Sequence, residues 1–266
     1  MISIKRYLKM AVLLFKFKLQ RQMIYNLNFW GAFFVDITVF LIQIAVFSAI
    51  FLQVDSINGW NQYQLTFFVG TFTIIDSLWM CTYFFGILGI PDKIRTGKLD
   101  IYLTKPINTL FLVSFENMDF GSILLTIPGI MMLVYSVRKL GIELNPLKIT
   151  GYVFLIVVML VLVFDIMVLI RSLAFWFTHV DRLTDFESEM MNFSFRVPGN
   201  VFKGFVKVLF YFFIPYGLIA TIPTQFFTGI LEGEYWVLTL LVCFIFSLMC
   251  RFIWKLGLKH YGSASS

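Results

Sequence analysis

Six stretches of mostly apolar residues follow one another along the chain, at about 30–52, 65–90, 109–137, 151–177, 206–222 and 235–254. Each is long enough for a helix to cross roughly 30 Å of hydrocarbon. The pattern predicts an all-α membrane protein of six transmembrane helices, with residues 30–266 forming a single transmembrane domain. Residues 1–29 follow a different period. Ile4, Leu8, Ala11, Val12, Phe15 and Leu19 share one helical face, and Lys5, Lys9, Lys16 and Gln20 the other. This is an amphipathic helix that lies on the inner membrane surface, its basic face on anionic headgroups. Lys16, Lys18 and Arg21 interrupt the apolar centre a signal peptide needs.

The fifth stretch is irregular. Residues 208–231 are uncharged but contain Pro215, Gly217, Pro223 and Gly229. Proline removes a backbone donor, so a helix ending near Pro223 is expected, followed by a short apolar segment, about 225–231, that re-enters the outer leaflet.

Composition agrees with the pattern. Hydrophobic residues make up 59% of the 266 and charged residues 14%, against about 45–50% and 25% in soluble chains. The 33 Phe, 11 Tyr and 6 Trp would overfill a soluble core of this size. A soluble enzyme and a nucleic-acid-binding module are both poor readings, despite the net charge of +6. With the N-terminus placed inside, 17 of the 21 Lys and Arg fall on the inner side. Arg138, Lys139 and Lys148 fall outside, and Arg171 lies within a span. By the positive-inside rule both termini face the cytoplasm.

Catalytic patterns are missing. His179 and His260 stand in no HExxH motif, there is no GxSxG, and Gly97-Lys98 is followed by Leu99 without the upstream glycine of a Walker A loop. No catalytic residue or metal ligand is assigned, and any ATP belongs to another subunit. Cys81, Cys243 and Cys250 sit in apolar stretches without metal or disulfide spacing. Acids lie inside the spans: Asp36, Asp76, Glu116, Asp119 and Asp165, with Arg171 among them. Two readings stand for Asp76, Asp165 and Arg171. Either the carboxylates serve a proton relay or polar path, or one of them pairs with Arg171 across a helix interface. The aromatics Phe33, Phe34, Phe67, Phe68, Trp79 and Tyr83 either pack or line an amphiphile path.

The loop at 91–108 is the most informative stretch. Pro91 is expected to end the second span, Asp92 to cap a short helix, Gly97 to end it, and Asn108 to cap the third span. Ile94, Leu99, Ile101 and Leu103 give this helix an apolar edge, which suits docking onto a protein partner.

The run Arg95-Thr96-Gly97-Lys98-Leu99-Asp100-Ile101-Tyr102-Leu103-Thr104-Lys105-Pro106-Ile107-Asn108 resembles the I-x-x-G-x-L-D-x-x-L-x-K-P-x-N signature of bacterial type-2 ABC exporter permeases, a group that includes drug exporters. Ser172 to Phe177 is similar to their small-x-A-F-W end of the fourth span. Pro198 to Phe202, Phe213-Ile214-Pro215 and Ile222-Pro223 resemble their fifth-span prolines.

The resemblance implies an N-terminal connecting helix, a cytoplasmic coupling helix between spans two and three, and a re-entrant segment before the last span. It also implies a second permease, identical or sibling, and two ATPase subunits that bind the ATP and Mg. The chain would be a permease of an ATP-driven exporter in the bacterial cytoplasmic membrane, contacting lipid and no nucleic acid, and not itself an enzyme. Lys93, Arg95, Lys98, Asp100 and Lys105 are then the expected charged contacts to the ATPase, and Ile94, Leu99 and Leu103 the docking residues. Lys5, Arg6 and Lys9 either touch the ATPase or only anchor the helix. The rival readings are an ion-coupled carrier using Asp76 and Asp165, which would be expected to show internal repeats that are not evident here, and a structural membrane scaffold.

Overall fold

The computed structural model describes residues 26–231 and 233–262, and every regular element among them is helical. The amphipathic helix expected over 1–29, with Lys5, Arg6 and Lys9, falls outside the described residues except for 26–29, which begin the first helix. That helix, α1 (Asn26–Phe51), has Asp36 as its one charged residue. A turn leads into α2 (Gln62–Trp79), whose start is set by a capping box: Gln64 N–H donates to Asn61 Oδ1 at 2.9 Å and Asn61 N–H to Gln64 Oε1 at 3.0 Å. A π turn at Met80–Phe84 and the short helix Phe85–Leu88 prolong α2.

Two short helices follow, α3 (Ile90–Arg95) and α4 (Asp100–Leu103), separated by Gly97 at φ +73°, a left-handed conformation that glycine adopts without steric cost. Pro91 opens α3 rather than closing the helix before it, since the first turn needs no amide donor there. Next, α5 (Thr109–Phe115) is capped by Asn108, whose Oδ1 accepts Phe111 N–H at 3.1 Å.

The expected span 109–137 is interrupted. The chain leaves helix over 116–121 and resumes through a 3-10 turn, Ser122–Leu125, into α6 (Thr126–Leu140). Asp119 supports the restart, accepting Gly121 N–H at 3.2 Å and Ser122 O–H at 2.7 Å. Pro146 then opens α7 (Pro146–Ser172) under an Asn145 cap.

The second half contains α8 (Asp181–Arg196), α9 (Gly204–Val208) with its π-turn extension Leu209–Phe213, a 3-10 turn at Pro215–Leu218, α10 (Thr221–Thr228) and α11 (Gly233–His260). Among the described residues, four helical segments are long and apolar enough to cross a membrane: 62–95, 122–140, 146–175 and 233–260. The pair Gly204–Phe213 and Pro215–Thr228 makes a fifth only if counted as one span, and it is bent by 86°.

The irregularity expected in the fifth stretch is present, but the helix expected to end near Pro223 ends earlier. The break falls at Ile214-Pro215, eight residues before Pro223. Pro223 lies in the first turn of α10, where its missing donor costs nothing.

The core sits where α2 meets α6 and α7, and α11 packs along α7. Phe67, Phe68, Ile75 and Trp79 of α2 are buried against Leu155, Met159, Leu162 and Ile166 of α7. Close approach of α2 and α6 depends on small residues. A Cβ on Gly70 would lie 2.9 Å from Gly129 O, so a larger residue there would force the helices apart.

The path of α8 is the chief difference from the sequence pattern. Asp181 and Thr184 line a cavity shared with Pro91, Asp92 and Arg95, at the end of the bundle that carries α3. Just beyond its C-terminus, Asn200 O accepts Asn58 Nδ2–H at 2.8 Å, from the turn between α1 and α2 at the other end. Sixteen residues at about 1.5 Å each give roughly 24 Å, so α8 runs between the two ends. The segment expected as an inner loop, 178–207, therefore reaches from one end of the bundle to the other.

Candidate functional site

The site built from the 91–108 signature is rigid. Leu99 N–H donates to Lys93 O at 3.1 Å, Tyr102 N–H to Leu99 O at 2.9 Å, and Thr96 O–H to Asp92 O at 2.7 Å, folding α3 and α4 onto each other. Glu116, at the break after α5, holds the pair from outside. Lys93 Nζ lies 2.5 Å from Glu116 Oε1, and Tyr102 O–H donates to Glu116 Oε2. Burial, then the bond and charge of Glu116, push the Tyr102 phenol above its ordinary range. Lys105 Nζ stands 5.2 Å from the centre of the Tyr102 ring. Burial, and then Asp100, push the phenol of Tyr261, just past α11, above its ordinary range.

The expected interface residues divide into two groups. Leu99 is 0% exposed and Ile94 8%, so both are packed inside the chain, and Lys93 is engaged by Glu116. Leu99 and Ile94 anchor the element and are not offered to a partner. Arg95, Lys98, Leu103 and Lys105 remain exposed and Asp100 is half-buried. Ile101, at 60% exposure, is a more open apolar residue than Leu103 at 41%.

Arg171 pairs with a carboxylate that neither sequence reading offered it. Arg171, at the end of α7, is 1% exposed, and its Nη1 donates to Glu187 Oε2 of α8 at 2.9 Å and to Met167 O at 3.2 Å. Neither Asp165 nor Asp76 is its partner in that salt bridge. Asp165 instead accepts the Ser247 hydroxyl of α11, and Asp76 is half-buried in α2.

The other oxygen of Glu187 accepts the hydroxyl of Tyr216, in the turn after Pro215. Glu187 and Tyr216 were missed in the sequence. The available signal was positional: Glu187 shares a helical stripe with Met190, Met191 and Ser194, and a carboxylate on such a stripe needs a buried partner. The aromatics Phe67, Phe68, Trp79 and Tyr83 are buried in packing rather than lining a path.

A sequence model of the family described as ABC-2 family transporter protein matches residues 37–265. The chain belongs to that family. This ABC-2 chain is thus a membrane permease component of an ABC transporter, multi-pass and not a catalytic subunit. Neither the curated proteins nor the solved structures offer a match to it. Among its described residues no group of three or more His, Cys, Asp and Glu is arranged to hold a metal ion.

Proposed function

We propose that the chain is one permease of an ATP-driven exporter. Separate ATPase subunits grip α3 and α4 from the cytoplasm, and a second permease, identical or sibling, completes the path through the bacterial membrane. The observation that carries this reading is the split within the 91–108 element. Leu99 and Ile94 anchor it, Glu116 clamps it, and Ile101 and Leu103 are turned out beside Arg95, Lys98 and Lys105. A solvated loop needs no such support. A lever that transmits force needs both a rigid base and an exposed contact face.

The topology that fits is again six crossings, made by α1, α2, α5 with α6, α7, α8 and α11. The bent α9–α10 pair is then re-entrant from the outer side. Arg196, Lys203 and Lys207 move outside in this arrangement, and the count of Lys and Arg becomes 14 inside against 6 outside. The bias keeps its sign, and both termini stay cytoplasmic.

The face of α8 supports a paired permease. Asp185, Glu189 and Asn192 lie one turn apart and exposed on a helix that spans the bundle. Lipid cannot solvate such groups, whereas a water-lined path against a second permease can.

The test is recovery of Mg-ATP hydrolysis with the tagged, full-length permease from native membranes. An ATPase subunit should co-purify, and its recovery should fall sharply with Leu103→Asp. Intact wild-type permease that brings down no ATPase would overturn the reading.

A further inference from the structure

We propose that Arg171, Glu187 and Tyr216 form a joint that passes movement of the α3 end of the bundle to the bent α9–α10 pair, making Glu187 and Tyr216 positioning residues for export. This inference rests on the permease reading above.

The three residues stand on three different elements, and each contact faces a different way. Arg171 is at the end of α7, immediately before the Leu173–Phe175 turn that packs on α3. With Asp92 and Arg95 it lines a cavity of about 300 Å³ at that end of the bundle, which leaves α3 room to shift against α7 and α8. Glu187 divides its carboxylate, one oxygen to Arg171 and the other to Tyr216. Tyr216 follows Pro215, at the bend itself.

A second clasp keeps α8 and the bend together. Gly199 N–H donates to Thr221 Oγ1 at 2.8 Å, and a Cβ on Gly199 would fall 2.3 Å from Gly217 O. Beyond the end of α8 the chain thus lies directly on the 215–221 segment. The clasp at Gly199 sets a pivot at the end of α8, and the Glu187–Tyr216 bond sets the angle of the segment about it.

Apolar packing would fill the same space, and a buried ion pair is weak support for stability on its own. What the charged contacts add is direction. Hydrogen bonds of fixed geometry resist sliding, so a displacement of Arg171 is delivered to Tyr216 rather than lost in repacking.

Ile230→Cys reports on the bend from the outside. Ile230 is 42% exposed, and its N–H is bonded to Gln225 O at 3.0 Å, so it rides on α10. A membrane-impermeant maleimide is applied to cells holding the full complex, ATP-replete or ATP-depleted. In the wild-type background the labelling rate should differ at least about five-fold between the two states, the low end of ordinary coupling energies. Tyr216→Phe keeps the ring and removes only the hydroxyl. It should reduce that ratio below about two-fold while ATPase recovery on the tagged permease stays normal. Glu187→Gln is the second variant if Tyr216→Phe fails to reach the membrane. Tyr235→Phe, whose hydroxyl meets Lys207 instead, should leave the ratio intact. A wild-type ratio in Tyr216→Phe, or no ATP-dependent ratio in the wild-type background, overturns the joint. Absence of any co-purifying ATPase would instead count against the permease reading.

Discussion

Lys93 Nζ and Glu116 Oε1 are 2.5 Å apart, and this pair ties the α3–α4 element to the break between α5 and α6. Both side chains are largely buried, at 12% and 21% exposure, and Tyr102 shares the carboxylate. The Arg95–Asp92 pair in the same element is more than half exposed on both sides. Solvent screening separates the two in energy.

Glu116→Ala is accordingly expected to lower the permease's stability by about 1.5–3 kcal/mol, the range for hydrogen bonds to charged groups. Asp92→Asn should change it by no more than about 0.5 kcal/mol. Thermal unfolding of the detergent-purified chain measures both. Equal effects would show that Glu116 does not brace the element.

Leu99 and Leu103, four residues apart, should respond in opposite ways to a carboxylate. At Leu99→Asp the charge is buried without a partner, and the yield of monodisperse protein should collapse. At Leu103→Asp yield should match wild type while recovery of the ATPase falls. Size-exclusion profiles paired with co-purification separate the two, and a well-folded Leu99→Asp chain would contradict its placement inside.

The course of α8 sets the accessibility of its ends. A cysteine replacing Lys203 should be labelled from outside intact cells, and one replacing Thr178 only after permeabilisation. Labelling of both positions only after permeabilisation would return residues 178–207 to the inner side and sink the crossing.

Arg171→Met leaves Glu187 as an unpaired buried carboxylate and should cost about 3–5 kcal/mol. Arg171→Met with Glu187→Met removes both charges and should recover most of that loss, because the desolvation penalty leaves with them. A double-mutant cycle on thermal unfolding reads the coupling; strictly additive effects would mean that the pair does not interact as placed.

Much of the architecture was legible in the sequence, and for a local reason. A long apolar helix announces itself by its own residues, so α1, α2, α7 and α11 fall where the stretches at 30–52, 65–90, 151–177 and 235–254 put them. The caps were equally local: Asn108 needs only the amide three residues ahead. In the 91–108 element the exposure of Arg95, Lys98 and Lys105 followed from their charge, whereas the apolar spacing did not separate buried from exposed positions.

Tertiary structure alone decided the rest. In α8 the charged residues Asp181, Arg182, Asp185, Glu187, Glu189 and Arg196 argue locally for a solvated loop. Glu187 is acceptable inside only because Arg171, 16 residues earlier, and Tyr216, 29 residues later, converge on its two oxygens. Leu99 and Leu103 look alike in a one-dimensional pattern, and packing buries one and exposes the other. The sequence by itself determined which segments lipid would accept, because transfer into hydrocarbon is close to a sum over a segment's own residues. Which charges could enter with them was decided by the fold, because the cost of burying a charge depends on partners that only the folded chain brings within hydrogen-bonding distance.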